Sequence, residues 1–310
     1  MIDLEAASRF LASRFGAGVT DLAPLGAGDW SRAFSFRLGG RELVARFGRH
    51  REDFEKDRQA MAFRRPDLPV PELLEIGEIP DGFYAVSERH FGTFLEAMDA
   101  RAWRHALPVL LRALDALRAV EPPGRGVEWS TTEEVPPVTW REWLLASLED
   151  RPGERVSGWR ARLAEVRELE ALFTAGERAL QSLLPACPEL RCLVHRDLLN
   201  RNVLVADDGS RLEAVFDWGC SVAGDFLYEV AWLTYWAPWY PALAELGFRE
   251  RVREHYAAIP LDVPHFDERL TAYELQIGLE HIAYCTFSGR EADRRDVARR
   301  TAEVLRRVTG

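Results

Sequence analysis

Residues 193–205 read LVHRDLLNRNVLV, an apolar run opened by His195, Asp197 and Asn202 and closed again by Val203, Leu204 and Val205. A lone Asp-x-x-x-x-Asn is ordinarily a tight turn whose side chains hydrogen-bond their own backbone. The next strand argues otherwise. In EAVFDWGCSVAGD (213–225), Ala214, Val215 and Phe216 deliver Asp217 at a strand end, and Gly219 lets the backbone turn away. Two strand ends thus each carry a carboxylate, with the Asn202 amide between them in sequence. Asp197 has the chemistry of a base toward a hydroxyl; Asn202 and Asp217 offer the oxygen ligands that Mg²⁺ prefers when it also holds phosphates. That division of labour is phosphoryl transfer.

The chain that must position these groups has 310 residues, long enough for a large core in one large domain or two smaller ones. Its 47% apolar and 29% charged residues are those of an ordinary globular protein. The most apolar stretch, VAWLTYWAPWYPALAELGF, is broken by Pro238 and Pro241 and carries Glu245, so it does not read as a membrane span. The N-terminus lacks the basic start and long apolar run of a signal peptide; Leu4, Ala7, Leu11 and Phe15 fall on one helical face instead. A cytoplasmic protein without a membrane partner is expected, as a monomer or weak dimer. Cys187, Cys192, Cys220 and Cys285 have neither zinc nor disulfide spacing and are expected as reduced, mostly buried thiols. A formal charge of −10 excludes nucleic acid as the main partner and favours a cationic one. Lys56 is the single lysine, which excludes any mechanism that needs one elsewhere.

After the first helix, Ala33–Phe36 and Leu43–Phe47 read as strands joined at Gly39-Gly40. A helix over 53–64 follows, stopped by Pro66 and Pro69, and then two strands around Pro80-Asp81-Gly82. Beyond Gly92 the periodicity is mainly helical, over 107–120, 140–148, 163–184 and 297–308. The polar stretch 120–137 is a long loop, a kind more often functional or mobile than neutral. A hairpin of short strands carries the two motifs above. The pattern predicts an α+β chain: a small antiparallel sheet with one helix over 1–88, and a larger, mainly helical part over 89–310.

His195-Arg196-Asp197, with Asn202 five residues after the acid and Asp217-Trp218-Gly219 about twenty further on, resembles the catalytic loop and metal-binding segment of kinases. Leu199 stands where a protein Ser/Thr kinase has lysine, and no A-P-E segment follows Asp217. Instead GDFLYEVAWL (224–233) comes at once, as it does in the aminoglycoside phosphotransferase family. SRAFSF, LPVPELLEIGE, CPELRCLVHRDLLNRNVL and GDFLYEVA, in this order, are most similar to the branch of that family acting on hygromycin B. The resemblance spans nearly the whole chain. It implies a two-lobed protein-kinase-like fold, with the nucleotide-binding lobe over 1–88 and the substrate site in the lobe over 89–310. It further implies that Asp197 orients and deprotonates the acceptor hydroxyl, that Asn202 and Asp217 hold Mg²⁺, and that His195 is structural. Arg196, where that family commonly has glycine, is a departure without an evident consequence.

On the nucleotide side, Gly26, Gly28 and Ser31 of LGAGDWSRAFSF occupy the place of a kinase phosphate loop, where glycines permit close approach of backbone N–H groups. The strand LVARF carries Arg46 where kinases have lysine. Arg46 is expected as the phosphate clamp with Asp57, or else Glu55, as its orienting acid; the alternative is a solvated arginine on a strand edge. Lys56 is expected to face solvent. Backbone groups near Ser87 to Arg89 would meet the purine, and Val44, Val86 and Val203 either sandwich it or are ordinary core.

On the acceptor side, carboxylates and aromatic rings suit a polycation built of sugars. Glu229, Trp236, Trp239, Glu274 and Glu280 are the candidates, with core packing the alternative for the tryptophans, while Asp225 is expected to brace the catalytic loop. The implied activity is transfer of the γ-phosphoryl group of ATP or GTP, with Mg²⁺, to a hydroxyl of an aminoglycoside such as hygromycin B, giving resistance. Two rivals stand beside it: a kinase for another hydroxylated substrate (a macrolide, an amino alcohol or a sugar), and a catalytically silent binding protein, suggested by arginine in place of lysine. The intact set of Asp197, Asn202 and Asp217 argues against the second.

Overall fold

The computed structural model describes residues 2–129 and 138–309. Part of the long polar loop over 120–137 therefore lies outside the described residues. The strands are β1 (Val19–Ala27), β2 (Ser31–Leu38), β3 (Arg41–Gly48), β4 (Leu73–Ile79), β5 (Gly82–Glu88), β6 (Thr93–Phe94), β7 (Cys192–Val194), β8 (Val203–Val205), β9 (Leu212–Val215) and β10 (Val222–Gly224). The helices are α1 (Leu4–Phe15), α2 (Arg51–Ala60), α3 (Ala100–Arg118), α4 (Trp140–Ala146), α5 (Trp159–Ala164), α6 (Arg167–Leu183), α7 (Leu227–Trp236), α8 (Pro241–Ala244), α9 (Phe248–Ala258), α10 (Phe266–Ser288) and α11 (Glu291–Thr309). They fall into two compact units, one formed by residues up to Ala116 with Asp197–Ser221, the other by 117–129, 138–196 and 222–309.

In the first unit an antiparallel sheet runs in the order β1-β2-β3-β5-β4. Gly39 and Gly40, both at positive φ, make the two-residue turn between β2 and β3, where such backbone matches the strand twist. Successive residues of a strand face opposite ways. Leu43, Ala45 and Phe47 of β3 accordingly join Phe34, Phe36, Tyr84 and Val86 in a core closed by Ala7 and Leu11 of α1. Val44 and Arg46 take the other face. A second small sheet, β6-β8-β9, carries the segment from Asp197 to Asp217.

The second unit is mainly helical, with the two-stranded sheet β10-β7. Its centre is α10, buried on nearly every side, with even Arg269, Glu274 and Gln276 enclosed. Period-based boundaries shift here for identifiable reasons. The helix expected from 107 begins at Ala100, because Asp99 accepts the Ala102 N–H at 2.8 Å and starts it there. The one expected over 163–184 is two, α5 and α6, and the helix expected over 53–64 gives way to a 3₁₀ turn at Met61–Phe63. Cys187 and Cys285 are buried and Cys220 is exposed. No described helix is long and apolar enough to cross a membrane.

Candidate active site

β9 ends at Val215, and Asp217 follows in the left-handed region at φ 65°, ψ 63°. For a residue with a Cβ that backbone costs on the order of 1 kcal/mol or more. Helix α2 supplies what holds it. Asp57 Oδ1 accepts the Trp218 N–H at 2.8 Å, and Asp57 Oδ2 accepts from Arg46 Nη1 at 2.6 Å. The second prong of the Arg46 fork, Nη2, reaches Asp217 Oδ1 at 2.9 Å. Burial works against the Arg46 charge, but Asp217 and Asp57 outweigh it and raise its pKa. The Asp57 carboxyl is itself raised, by burial first and then by Asp217 and Asp53, with Arg46 pulling the other way. Three carboxylates around one guanidinium leave a local excess of negative charge.

The segment around Asp197 is strained too: Arg196, Asn200 and Arg201 also have positive φ. Buried Leu198 and Leu199 anchor it. Asn202 Nδ2 donates to the Asp197 carbonyl and to Asp197 Oδ2, both at 2.8 Å, and Asn200 Nδ2 donates to Asp197 Oδ1 at 2.6 Å. Both oxygens of Asp197 are thus oriented by amides, while the Asn202 amide oxygen is the atom of that side chain left for a ligand.

A cavity of about 450 Å³ opens in the same unit. Gly26, Gly28, Ser31, Val44, Arg46, Asp57, Ser87, Arg89 and Asp217 line it, with Ala85, Leu204 and Phe216. Its walls are mostly apolar with a charged end, the composition of a small-molecule site.

In the second unit the acids have other partners. Glu229, 1% exposed, accepts the N–H of Arg196 at 2.6 Å. Asp225 is fully buried against Arg269, whose Nη2 and Nε donate at 2.6 and 2.9 Å, and against the Tyr273 hydroxyl at 2.5 Å. Glu274 takes the Thr234 hydroxyl and Arg307 Nη1, both at 2.6 Å. Arg196 Nη2 donates to both oxygens of Glu280 at 2.7 Å, with its guanidinium over the Trp143 ring. Burial opposes ionisation of Glu280, but Arg196 prevails and holds its carboxyl below the usual range. Trp236 packs edge-on to Trp232, Trp239 and His281, and Trp239 is exposed.

Residues 21–266 match the phosphotransferase enzyme family. The chain belongs to this family. It is 32% identical over 286 residues to hygromycin-B 4-O-kinase from Escherichia coli, covering 88% of this chain and 77% of that one. Two solved structures of thermostable mutants of aminoglycoside phosphotransferase APH(4)-Ia are 30% identical to it. One, a ternary complex with AMP-PNP and hygromycin B, gives a TM-score of 0.81 over 96% of this chain and 97% of that one. The other, with ADP and hygromycin B, gives 0.83 over 97% and 98%. Spectinomycin phosphotransferase APH(9)-Ia, at 13% identity and TM-score 0.61 over 98% and 97%, shares the fold.

In this phosphotransferase several expected residues lie elsewhere than anticipated. Val86 faces the core and Ala85 the cavity, because β5 alternates. Val203 is fully buried and does not line the cavity; its neighbour Leu204 does. The N–H groups of Glu88 and Arg89 donate to Glu72 and Glu42 carbonyls at 2.9 and 3.2 Å, so neither is offered to a purine. Glu55 pairs with Arg51 and Arg58, leaving Asp57 as the partner of Arg46. Glu229, expected at the acceptor, makes the contact with the loop at Arg196 that was expected of Asp225, and Asp225 pairs with Arg269 and Tyr273 instead. Glu274 is enclosed by its own partners and presents no carboxylate to an acceptor. Lys56 does not face solvent but is buried. Arg269 and Arg307, which take Asp225 and Glu274, carry no local signal in the sequence, since each lies 33 or more residues from its partner.

Proposed function

We propose that this phosphotransferase moves the γ-phosphoryl group of ATP or GTP to a hydroxyl of an aminoglycoside, with Mg²⁺, and that the acceptor is hygromycin B or a close structural relative. The observation that carries the reading is the pairing, within one compact unit, of an amide-oriented Asp197 with a cavity whose charged end is Arg46, Asp57 and Asp217. The relatives named for hygromycin B, at 30–32% identity over almost the whole chain, support the acceptor class.

Asp197, fixed by Asn200 and Asn202, accepts the proton of the acceptor hydroxyl as its oxygen bonds to the γ-phosphorus and the bond to the β–γ bridging oxygen breaks, releasing ADP or GDP. Arg46 binds the nucleotide phosphates, and the backbone at Gly26 and Gly28 admits them closely. Asn202 through its oxygen and Asp217 through its carboxylate fit a magnesium ion, since hard oxygens and a local excess of negative charge are what it selects. When bound, that ion neutralises charge developing on the phosphates. Glu229 holds the loop at Arg196. Trp236 and Trp239, the latter exposed, are the aromatic surface available to a sugar face.

The test is acceptor-dependent ADP or GDP release by purified protein with Mg²⁺ over a panel of aminoglycosides, macrolides, amino alcohols and sugars. Turnover on hygromycin B that vanishes in Asp197→Ala is expected. Turnover on a different class alone, or tight nucleotide binding with no turnover on any, overturns the assignment.

A further inference from the structure

The single lysine of the chain lies on α2, 8% exposed. Its Nζ donates to the carbonyl oxygens of Ser221 at 2.8 Å and Gly219 at 3.2 Å. These belong to the turn that leaves Asp217 in the left-handed region. The neighbouring helix residue, Asp57, takes the N–H of Trp218 in the same turn. Two adjacent side chains of opposite charge therefore bind the turn's carbonyls and its N–H from one helix face. The approach is close: a Cβ on Gly219 would come within 3.1 Å of the Asp53 carboxyl.

We propose that Lys56 is a positioning residue for magnesium: it holds the turn after Asp217 so that this carboxylate keeps the direction a metal ligand needs. The proposal rests on the reading of Asp217 as a magnesium ligand. Two properties of Lys56 act on a divalent cation with opposite sign. Its charge offsets part of the negative field of Asp53, Asp57 and Asp217 and disfavours the metal. Its hydrogen bonds keep a strained turn in one conformation and favour it. A buried ammonium is retained only when its donors are used, and here two go to backbone carbonyls of the metal-bearing turn. The positioning effect is the larger, because residues that orient a metal's ligands change its affinity by about 10-fold or more.

Mn²⁺ serves as the spectroscopic probe, its free fraction read by electron paramagnetic resonance with the full chain and ADP. Lys56→Met is expected to bind Mn²⁺ about 10-fold more weakly, Lys56→Arg to recover much of the loss, and metal-free ADP binding to stay near wild type. Mn²⁺ bound by Lys56→Met as tightly as by wild type, or more tightly, overturns the proposal, since charge alone would then be its role. Equal weakening of metal-free ADP binding overturns it as well. Asp217→Asn separates the two readings: loss of Mn²⁺ upholds Asp217 as the ligand, and retention removes the reading and the proposal together. Should Lys56→Met fail to fold, wild type gives the answer by mass spectrometry, because Lys56 is the only side-chain amine. Its acetylation is expected to slow when Mn²⁺ and ADP are bound; a rate indifferent to them overturns the proposal.

Discussion

Replacing Glu229 by glutamine tests the brace on the catalytic loop and has a sign fixed by the structure. Oε1 accepts the Arg196 N–H at 2.6 Å, whereas Oε2 is buried with no hydrogen-bond partner among the described residues. Burial pushes the carboxyl from 4.5 up to about 7, against the pull of the Arg196 N–H and charge. The folded chain therefore binds a proton that the unfolded chain has released between those two values. Stability from this group is fully present below pH 4.5 and is lost as pH rises through 7. The loss amounts to about 3 kcal/mol. In Glu229→Gln the side-chain carbonyl still accepts the Arg196 N–H and nothing titrates. Any fixed cost of burying the amide is the same at every pH.

The stability difference between variant and wild type should therefore move by about 3 kcal/mol in favour of glutamine from pH 4.5 to 8. In a chain of this size that is a relative Tm change of roughly 5 °C. The assay is thermal unfolding of both proteins in matched buffers across that range. A Tm difference that is the same at pH 5 and pH 8 refutes the reasoning. Glu229→Ala removes the acceptor altogether and leaves a partly buried N–H unsatisfied beside Asp197, so turnover should fall by about 10-fold or more from a displaced loop.

Asp197→Ala should abolish acceptor-dependent phosphoryl transfer while nucleotide affinity, measured by calorimetry, changes little; surviving turnover would show that another group takes the proton. Arg46→Ala should weaken nucleotide binding by roughly 100-fold, and Arg46→Lys by about 10-fold, because an ammonium keeps the charge but not the fork that spans Asp57 and Asp217. Arg196→Ala strips Glu280 of its guanidinium and should destabilise the chain by about 2 kcal/mol in urea unfolding, less than for a fully buried pair because Glu280 is partly solvated. Glu280→Gln in that background should recover part of the loss, and additive effects of the two changes would show that the pair is not coupled.

The nucleotide side was legible because it rests on local patterns. Strand alternation put Val44 and Arg46 on one face, Gly26 and Gly28 line the same cavity, and Asp57 lies only 11 residues from its partner Arg46. The same alternation, applied to β5, would have exchanged Val86 for Ala85. The acidic side was not legible, for a physical reason. Asp225 and Glu229 lie four residues apart, and nothing local says which carboxylate holds the loop. The decision is made by Arg269, 44 residues from Asp225, which takes that acid and leaves Glu229 for the Arg196 N–H. Glu274 is withdrawn in the same way by Arg307, 33 residues on. Composition and periodicity announce a buried acid; only tertiary pairing says whether it is structural or free to meet a ligand.

Lys56 shows how the arginine on β3 and the burial of the lone lysine are one arrangement. A kinase lysine on that strand is a point charge that meets one carboxylate at a time. Arg46 spans two, Asp57 at 2.6 Å and Asp217 at 2.9 Å, in the flat geometry that a guanidinium supplies and an ammonium does not. The carbonyls of Gly219 and Ser221 pose the opposite problem, two acceptors converging on one point, which suits a compact ammonium with rotatable donors. Each cation sits where its shape fits, and both bind the same strained turn. Exchanging them as Arg46→Lys with Lys56→Arg keeps the net charge and should still weaken Mn²⁺ binding beyond either single change, because both geometries are then wrong. A double variant equal to wild type in the paramagnetic assay would mean that charge, not shape, governs the turn.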